Sequence, residues 1–307
     1  MGDPSGVGPE VLLKAISRRH FRSSLIVIGD LARLKSIARR FRLSVPWSSC
    51  RWIDCANVPK KLPFGAPHPA SGRAAYAYLR EAVSLIKQDG ADGLVTAPVS
   101  KEAVVSAGVR NWIGHTEFLG ESFGRRTVMM FASGKFRVSL VTTHVSIRRL
   151  PHQLTAAKVR GVIRATREAL QRDFGIRRPR IGLCALNPHG GEGGMFGEEE
   201  SRILRPAARS FTGVAGPLPA DSAVRQAADG KFDALVAIYH DQALIPLKLL
   251  GWSRAVNVTL GLPFVRTSPV HGTAFDIAAS GKADCGSMES AIRLAEDLTL
   301  RRGKRTR

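Results

Sequence analysis

The sequence predicts an α/β fold with two lobes, and three observations support that prediction. Short apolar runs alternate along the chain with longer amphipathic stretches. This alternation is typical of a parallel sheet covered by helices on both faces. The 307 residues are 44% hydrophobic and 23% charged, which is a globular composition. A single hydrophobic core stops growing above about 250–300 residues, so two lobes are expected.

The individual elements follow from the same patterns. Apolar runs predict buried strands at residues 25–28, 93–97, 138–142, 181–185 and 234–237. The amphipathic stretches between them predict helices at residues 9–18, 73–88, 155–172, 198–210 and 222–229. No internal repeat is visible, and low complexity is confined to the terminal RRGKRTR.

The chain is strongly basic, with 46 Lys and Arg against 25 Asp and Glu and a net charge of +21. Such an excess makes a polyanion a partner to consider. Only 7% of the residues are aromatic, so no stacking surface for bases accompanies the charge. We interpret the basic residues chiefly as a solvated surface and do not expect nucleic acid binding. They include the pairs at 18–19, 39–40, 148–149 and 177–178 and the tail 301–307.

The ends and the cysteines predict a cytoplasmic protein without membrane contact. The start, MGDPSGVGPE, lacks the basic and apolar regions of a secretory signal. No apolar run approaches the roughly 18–20 residues that span a bilayer. The cysteines, at 50, 55, 184 and 285, form no CxxC pair and are expected to be reduced, mostly buried thiols.

Three histidines are the strongest candidates for chemistry. His144, His189 and His240 each lie just beyond a predicted strand, and parallel strands bring those ends to one edge. A single histidine there is more often structural, but three at equivalent positions favour a metal site. Three imidazoles leave open positions for water or substrate, as in a catalytic centre. Asp241 is a candidate hydrogen-bond partner of His240 or a proton acceptor.

Several loops also carry polar residues that strands and helices do not require. The Gly-rich loop at 2–10 suits either a helix cap or a ligand, and 96–101 follows a strand. The run 114–118, GHTEF, suits phosphate or hydroxyl binding, or an ordinary helix start. Four glycines within 187–194 favour close approach to a ligand.

Two cations and one loop complete the candidates. Lys248 and Arg266 are candidate phosphate ligands, although two cations prove little in so basic a chain. The run 271–278, HGTAFDIA, is predicted to be a loop that opens a helix.

The chain resembles the 4-hydroxythreonine-4-phosphate dehydrogenases of vitamin B6 biosynthesis over nearly its whole length. The matching runs are MGDPSGVGPE, LVTAPVSKEAV, GHTEFL, VTTHVSIRRLP, LNPHGGEGGMFGEEE, GPLPADS, YHDQALIPLK and VNVTLGLPFVRTSPVHGTAFDIA. The resemblance implies an α/β/α homodimer that is like isocitrate and isopropylmalate dehydrogenases, with an active-site cleft between its lobes. The first lobe, on the cofactor side, is expected at 1–122 and 268–307, and the second, with the metal ligands and dimer interface, at 123–267.

The resemblance also assigns roles to residues. It implies that His144, His189 and His240 bind one divalent ion (Zn, Co, Mn or Mg) and are shared across the dimer. The implied substrate contacts are His115, Thr116, Lys248, Asn257 and Arg266. Asp221 and Asp241 fall on acids of the site, and we expect Asp241, Lys248 and Asp221 to be catalytic. The implied contacts to NAD or NADP are His271, Gly272, Thr273, Ala274 and Asp276.

The sequence departs from the family pattern at three places. Relatives usually have a strand of several residues before the MGDP run, so we expect either that the start of this chain is assigned too late or that the edge of one sheet is missing. Val270 stands where many relatives carry Asp, and Ala279 where they carry Gly. Residues 37–65 match only loosely.

The implied reaction is the metal- and NAD-dependent oxidation and decarboxylation of 4-phosphooxy-L-threonine to 3-amino-2-oxopropyl phosphate. Asp241 or Lys248 would accept the hydroxyl proton. One alternative is a sibling dehydrogenase that acts on a phosphorylated four-carbon sugar acid or on a cyclic dihydrodiol. A nucleic-acid-binding protein on the same scaffold is a weaker alternative.

Overall fold

The structure is a computed structural model that describes residues 1–18 and 20–303. Arg19 of the basic pair 18–19 and the last four residues of the basic tail lie outside the described residues. The chain divides into two units by its internal contacts. Unit 1 comprises Met1–Arg125 and Leu262–Thr299, and unit 2 comprises Arg126–Gly261 with the residues from Leu300 onward.

The helices and strands confirm the α/β class. The strands are β1 (Leu25–Gly29), β2 (Cys50–Asp54), β3 (Gly93–Val95), β4 (Val128–Ser133), β5 (Phe136–Leu140), β6 (Ile181–Cys184), β7 (Val214–Leu218), β8 (Ala234–Ala237), β9 (Val256–Leu260) and β10 (Val265–Pro269). The helices are α1 (Gly8–Arg18), α2 (Leu31–Arg40), α3 (Pro69–Lys87), α4 (Lys101–Ser106), α5 (His115–Ser122), α6 (Leu150–Gln153), α7 (Ala156–Arg172), α8 (Arg205–Arg209), α9 (Ala220–Ala228), α10 (His240–Gly251) and α11 (Gly286–Gly303). None of the helices among the described residues is long and apolar enough to cross a membrane.

All five predicted strands are present, as β1, β3, β5, β6 and β8, and four of the predicted helices are α1, α3, α7 and α9. The fifth, at 198–210, is a π-helical turn, Glu200–Leu204, followed by α8. The sequence patterns missed the half-exposed β2 because its apolar and polar residues do not form a continuous buried run.

Unit 1 contains two parallel strand pairs. β1 pairs with β2, from Leu25 opposite Cys50 to Gly29 opposite Asp54. β10 pairs with β3, with Val265 opposite Gly93. No strand precedes α1 within the described part of the chain. The pairing with β3 explains why unit 1 resumes at Leu262, although the sequence placed residues up to 267 in the second lobe.

Unit 2 contains a sheet in the order β9-β4-β5-β8-β6-β7. The pairs β5-β8, β8-β6 and β6-β7 are parallel, which agrees with the parallel arrangement expected for β5, β6 and β8. The strand β4, which the apolar pattern did not predict, is antiparallel to both β5 and β9, so the sheet is mixed and not parallel throughout. The reason is local: Ser133 pairs with Phe136 across the two-residue turn Gly134-Lys135, and Gly134 has φ 57°. A turn of two residues can join only antiparallel strands.

The C-terminal end of α11 is anchored in unit 2. Arg302 donates from Nε and Nη2 to the two carboxylate oxygens of Asp173, at 2.6 and 2.9 Å. Burial alone would raise the pKa of Asp173, but hydrogen bonds from Arg302 and Arg172 lower it below its ordinary value. This bidentate pair explains why the residues from Leu300 onward group with unit 2, whereas the sequence placed them in the first lobe.

Candidate active site

A buried cation lies in the strand pair of unit 1. Arg266, on β10, is 3% exposed and donates from Nη2 to Thr96 Oγ1 at 2.6 Å. Thr96 directly follows β3, and its backbone N–H donates to Thr267 O at 3.1 Å. Burial lowers the pKa of Arg266 to about 10, so the guanidinium remains charged at neutral pH. The parallel pairing of β3 and β10 therefore holds a positive charge at a fixed position.

A neutral imidazole, that of His115, lies near the buried cation Arg266. His115 is the first residue of α5, and its ring meets the Trp112 ring edge-on with centroids 5.7 Å apart. Burial lowers the pKa of His115 to about 3, and the positive charges of Arg266 and of the N-terminal amine lower it further. Thr116 follows it in the first turn. We call Thr96, His115, Thr116 and Arg266 the basic group, one cation with three neutral hydrogen-bonding side chains that together suit a phosphate. The carboxylate of Glu117, in the first turn of α5, also acts on Arg266 and raises its pKa against the effect of burial.

In unit 2, two of the three predicted metal ligands lie close together. β5 and β8 are parallel neighbours, so their carboxyl ends lie at one edge, and His144 and His240 follow these ends. The two rings have centroids 6.0 Å apart. His240 Nδ1 lies 2.7 Å from Asp241 Oδ1. A carboxylate on one ring nitrogen leaves the other, Nε2, directed outward, as in histidines that bind metals.

The third, His189, follows β6, the next parallel neighbour of β8. It lies in a loop in which every residue from 189 to 194 has positive φ, from 42° at Glu192 to 108° at Gly194. Two of these, His189 and Glu192, are not glycines, so the backbone is strained. The His189 ring lies 6.4 Å from the ring of Phe196.

Among residues 1–18 and 20–303, no three His, Cys, Asp or Glu side chains are grouped closely enough to hold a metal ion. His144 and His240 fit two positions of such a site by their proximity and by the carboxylate on His240. We call His144, His189, His240 and Asp241 the histidine group. It is exposed: the side chains of His240 and Asp241 are 41% and 68% accessible.

The remaining predicted substrate and catalytic residues lie in unit 2. Lys248 is exposed in the third turn of α10, and Asp221 is exposed in the first turn of α9. Asn257 lies on β9 opposite Phe131 of β4. Its Oδ1 is buried and makes no hydrogen bond within the described residues, so it is placed to accept one from a ligand.

The predicted cofactor segment, residues 271–276, lies in unit 1. Thr273 O accepts a hydrogen bond from Val7 N at 2.9 Å. Ala274 has φ 41°, and the helix expected after this loop is a single 3₁₀ turn, Phe275–Ile277. Gly272 and Asp276 are exposed, whereas Nε2 of His271 is buried without a hydrogen-bond partner in the described part of the chain.

Sequence reasoning missed two side chains that hold these loops. Glu200, 2% exposed, accepts hydrogen bonds at Oε1 from the backbone N–H groups of Leu186 and Asn187, both at 2.8 Å. Gln242 donates to Ala185 O at 2.8 Å and accepts from Ile238 N at 2.7 Å, so it joins the ends of β6 and β8. Both residues lie in runs that carry the family resemblance, EEE and YHDQ. The sequence does not indicate which polar residue of each run points inward, and only the fold shows it.

Comparisons with known proteins show the family to which the chain belongs. The family model described as "Pyridoxal phosphate biosynthetic protein PdxA" matches residues 16–295. A 4-hydroxythreonine-4-phosphate dehydrogenase of Geobacter metallireducens is 42% identical over 99% of this chain and 95% of its own length. A D-threonate 4-phosphate dehydrogenase of Cupriavidus necator is 41% identical over 98% of this chain and 96% of its own.

A solved structure is also similar. The 4-hydroxythreonine-4-phosphate dehydrogenase of Klebsiella pneumoniae superposes with a TM-score of 0.87 at 35% identity, covering 97% of this chain and 98% of the other. The relatives are named dehydrogenases, and the prediction that the chain is an oxidoreductase acting on a CH–OH group is confirmed. The chain belongs to the family of the pyridoxal phosphate biosynthetic protein PdxA.

Proposed function

We propose that this chain oxidises 4-phosphooxy-L-threonine to 3-amino-2-oxopropyl phosphate, with loss of CO2, using NAD or NADP and a divalent metal ion. The likeness to dehydrogenases over the full length of the chain is the observation that carries the proposal. The two units supply different residues: unit 1 the phosphate and cofactor contacts, unit 2 the metal ligands.

The basic group binds the substrate phosphate. Arg266 supplies a positive charge that is already desolvated and oriented by Thr96, so little conformational entropy is lost on binding. His115 is neutral and can offer one N–H donor, and Thr116 can add a hydroxyl. We also assign Lys248 and Asn257, in unit 2, to substrate binding.

The histidine group holds the metal ion. His144, His189 and His240 are the ligands, and Asp241 fixes the ring orientation of His240. These three histidines would hold a divalent ion, which would supply Lewis-acid chemistry toward the substrate hydroxyl. Three nitrogen ligands suit Zn, Co or Mn better than Mg.

Proton transfer falls to Lys248 or to one of the acids. Asp241 is hydrogen-bonded to His240, which fits an orienting role. Lys248 lies two turns further along the same helix and is the preferred acceptor of the hydroxyl proton, with Asp221 as the other candidate. The oxidation yields a β-keto acid, which loses CO2 readily.

The cofactor contacts are assigned to His271, Gly272, Thr273, Ala274 and Asp276. The exposed Gly272 and Asp276 and the buried Nε2 of His271 offer a backbone surface and polar groups to a nucleotide. The nicotinamide, when bound, accepts the hydride.

A second copy of the chain completes the metal site in this proposal. Six apolar side chains are exposed on the segments that carry the histidine group. They are Ile147 at 66%, Met195 at 77%, Phe196 at 49%, Ile245 at 59%, Leu249 at 83% and Leu250 at 50%. Exposed apolar clusters of this kind mark protein interfaces. A homodimer would cover them and bring a histidine of one copy to the ligands of the other.

The test is an assay of NADH and NADPH formation with a panel of substrates. The panel holds 4-phosphooxy-L-threonine, its stereoisomers, the four-carbon phospho-sugar acids D-threonate 4-phosphate and D-erythronate 4-phosphate, and an unphosphorylated diol. We expect the highest kcat/KM with 4-phosphooxy-L-threonine and none with the diol. A preference for the unphosphorylated diol would contradict the phosphate assignment.

The second candidate is a dehydrogenase of phosphorylated four-carbon sugar acids. It is favoured by one observation: relatives named for D-threonate 4-phosphate match nearly as well as those named for 4-hydroxythreonine 4-phosphate. The two substrates differ in an amine against a hydroxyl at the carbon next to the carboxylate, remote from the phosphate, so residues that bind the phosphate do not discriminate between them. The same panel decides between them by the ratio of the two kcat/KM values.

A further inference from the structure

A buried ion pair in unit 1 has no role in the reaction described above. Lys14 and Glu10, on successive turns of α1, are 8% and 1% exposed, with Nζ 2.7 Å from Oε1. Lys14 also donates to Gly281 O at 2.7 Å and to Ala283 O at 2.8 Å, so all three ammonium donors are used. Glu10 Oε1 accepts a further hydrogen bond from Ala283 N at 3.1 Å.

The residues held in this way, Gly281 and Ala283, lie shortly after the cofactor segment 271–276, separated from it by residues 277–280. The cofactor segment itself is held by the residue just before α1, because Val7 N donates to Thr273 O at 2.9 Å. Gly6 permits this approach: a Cβ on it would lie 2.8 Å from Thr273 O. We call Gly6, Val7, Glu10 and Lys14 the α1 anchor.

The backbone between the two attachment points is strained. Ala274 has φ 41° and Ala279 has φ 59°, in the left-handed region that alanine rarely adopts. Such conformations persist only where the surroundings fix them. The α1 anchor holds the chain on both sides of these two residues, at Thr273 and at Gly281 and Ala283.

A buried ion pair is a poor device for stability alone. Taking both charges out of water costs about as much as their attraction returns, and two apolar residues would fill the space as well. The pair here does what apolar residues could not: it bonds three backbone groups of one segment in fixed directions.

We propose that Lys14 and Glu10 are positioning residues for the nicotinamide cofactor, which hold residues 273–283 in the conformation that binds it. The inference rests on the proposed function, in which residues 271–276 contact the cofactor. It adds that affinity for the nucleotide depends on buried side chains that do not touch it.

The first test is Lys14→Met, which keeps the length of the side chain and removes its three donors. We expect the Kd for NADH, measured by fluorescence titration, to rise about tenfold or more, because small displacements of a binding segment cost that much. The KM for the nucleotide should rise in parallel, whereas the KM for the phosphorylated substrate stays unchanged. Amide hydrogen exchange of residues 274–285 should become faster.

Two controls separate positioning from general stability. Leu13→Ala removes a buried core residue of the same helix, so it should lower the melting temperature but leave the Kd for NADH unchanged. Glu10→Gln keeps an acceptor for Lys14 and Ala283 N but removes the negative charge, so it should raise the Kd for NADH less than Lys14→Met does. An equal loss of affinity in Leu13→Ala and Lys14→Met would overturn the proposal.

A second variant keeps the test valid if Lys14→Met does not fold. Gly6→Ala introduces the close contact with Thr273 O at the other attachment point, and it should also raise the Kd for NADH. His271→Ala and Asp276→Ala test the cofactor assignment itself. If both leave the Kd for NADH and NADPH unchanged, the proposed function fails at this segment. If they raise it but Lys14→Met and Gly6→Ala do not, only the positioning role is overturned.

Discussion

The basic group of unit 1 and the histidine group of unit 2 are built in opposite ways. Arg266 is buried and donates a hydrogen bond to Thr96 of its own unit. Its positive charge also helps to lower the pKa of His115, which lies in the same unit. His144 and His240 are close together but accessible, and His189 lies on a strained loop apart from any group of three ligands in the described chain.

The difference shows what a single chain can pre-organise. A phosphate site needs one oriented cation and neutral donors, and two parallel strands with the start of one helix supply these. A metal site needs three ligands that converge, and these histidines lie on segments that also carry exposed apolar side chains. We therefore expect the basic group to function within one chain and the histidine group to require a second copy and an ion.

The largest expected effect comes from the histidine group. His189→Ala and His240→Ala should each abolish NAD reduction, because a metal site loses a ligand. If the two histidines of one site come from different copies, each mixed dimer of the two inactive variants has one intact site and one site that lacks both histidines. Random reassociation of equal amounts of the two variants gives mixed dimers in half of the cases. About a quarter of the original activity should return on random pairing. Activity that stays at zero in verified mixed dimers would mean that one chain supplies both ligands.

Arg266→Met should have the next largest effect. It removes a charge-assisted contact to phosphate, so the KM for the phosphorylated substrate should rise about 10- to 100-fold with a smaller change in kcat. Methionine fills much of the same buried volume, so the fold should be retained. Arg225→Met, at an exposed arginine paired with Asp229, is the matched control and should leave KM unchanged. An unchanged KM in Arg266→Met would argue against the phosphate role of the basic group.

Asp241→Asn should weaken metal binding about tenfold or more without removing a ligand, because the carboxylate that orients His240 is lost. Calorimetry measures the binding of Zn²⁺, Co²⁺ and Mn²⁺ as each is titrated into the chelator-treated protein. Excess metal should restore most of the activity. If activity stays low at saturating metal, Asp241 takes part in proton transfer and is not only an orienting residue.

The smallest expected effect at neutral pH comes from His115, whose contribution to stability changes only as the pH falls. Its pKa is about 3 in the folded protein, against 6.5 for an exposed imidazole. Below pH 6.5 the unfolded chain therefore binds a proton that the folded protein does not, and stability falls as pH decreases toward 3. The loss is at most about 1.4 kcal/mol per pH unit.

His115→Gln removes this contribution. The difference in free energy of unfolding between the original chain and the variant should therefore move in favour of the variant as pH falls from 7 to 4, measured by urea denaturation. Parallel pH profiles for the two proteins would show that His115 is not held neutral by burial beside Arg266.

The fold class, the positions of the three histidines and the family could all be predicted from the sequence alone. Alternating apolar and amphipathic segments determined the α/β class, since burial requires continuous apolar strands covered by helices. The positions of His144, His189 and His240 after strands were evident because strand ends are marked by the change from apolar to polar residues. The matching runs determined the family, because so many ordered positions agree.

The tertiary structure decided what depends on contacts between distant residues. The antiparallel β4 followed from a two-residue turn that the apolar pattern did not reveal. The inward orientation of Glu200 and Gln242, and the bonds from Lys14 to Gly281 and Ala283, join residues that no periodicity relates. The neutral state of His115 depends on burial beside Arg266, about 150 residues away along the chain. Local pattern determines which segments form and which residue types they carry, whereas burial and neighbouring charge, which arise only on folding, determine what those residues can do.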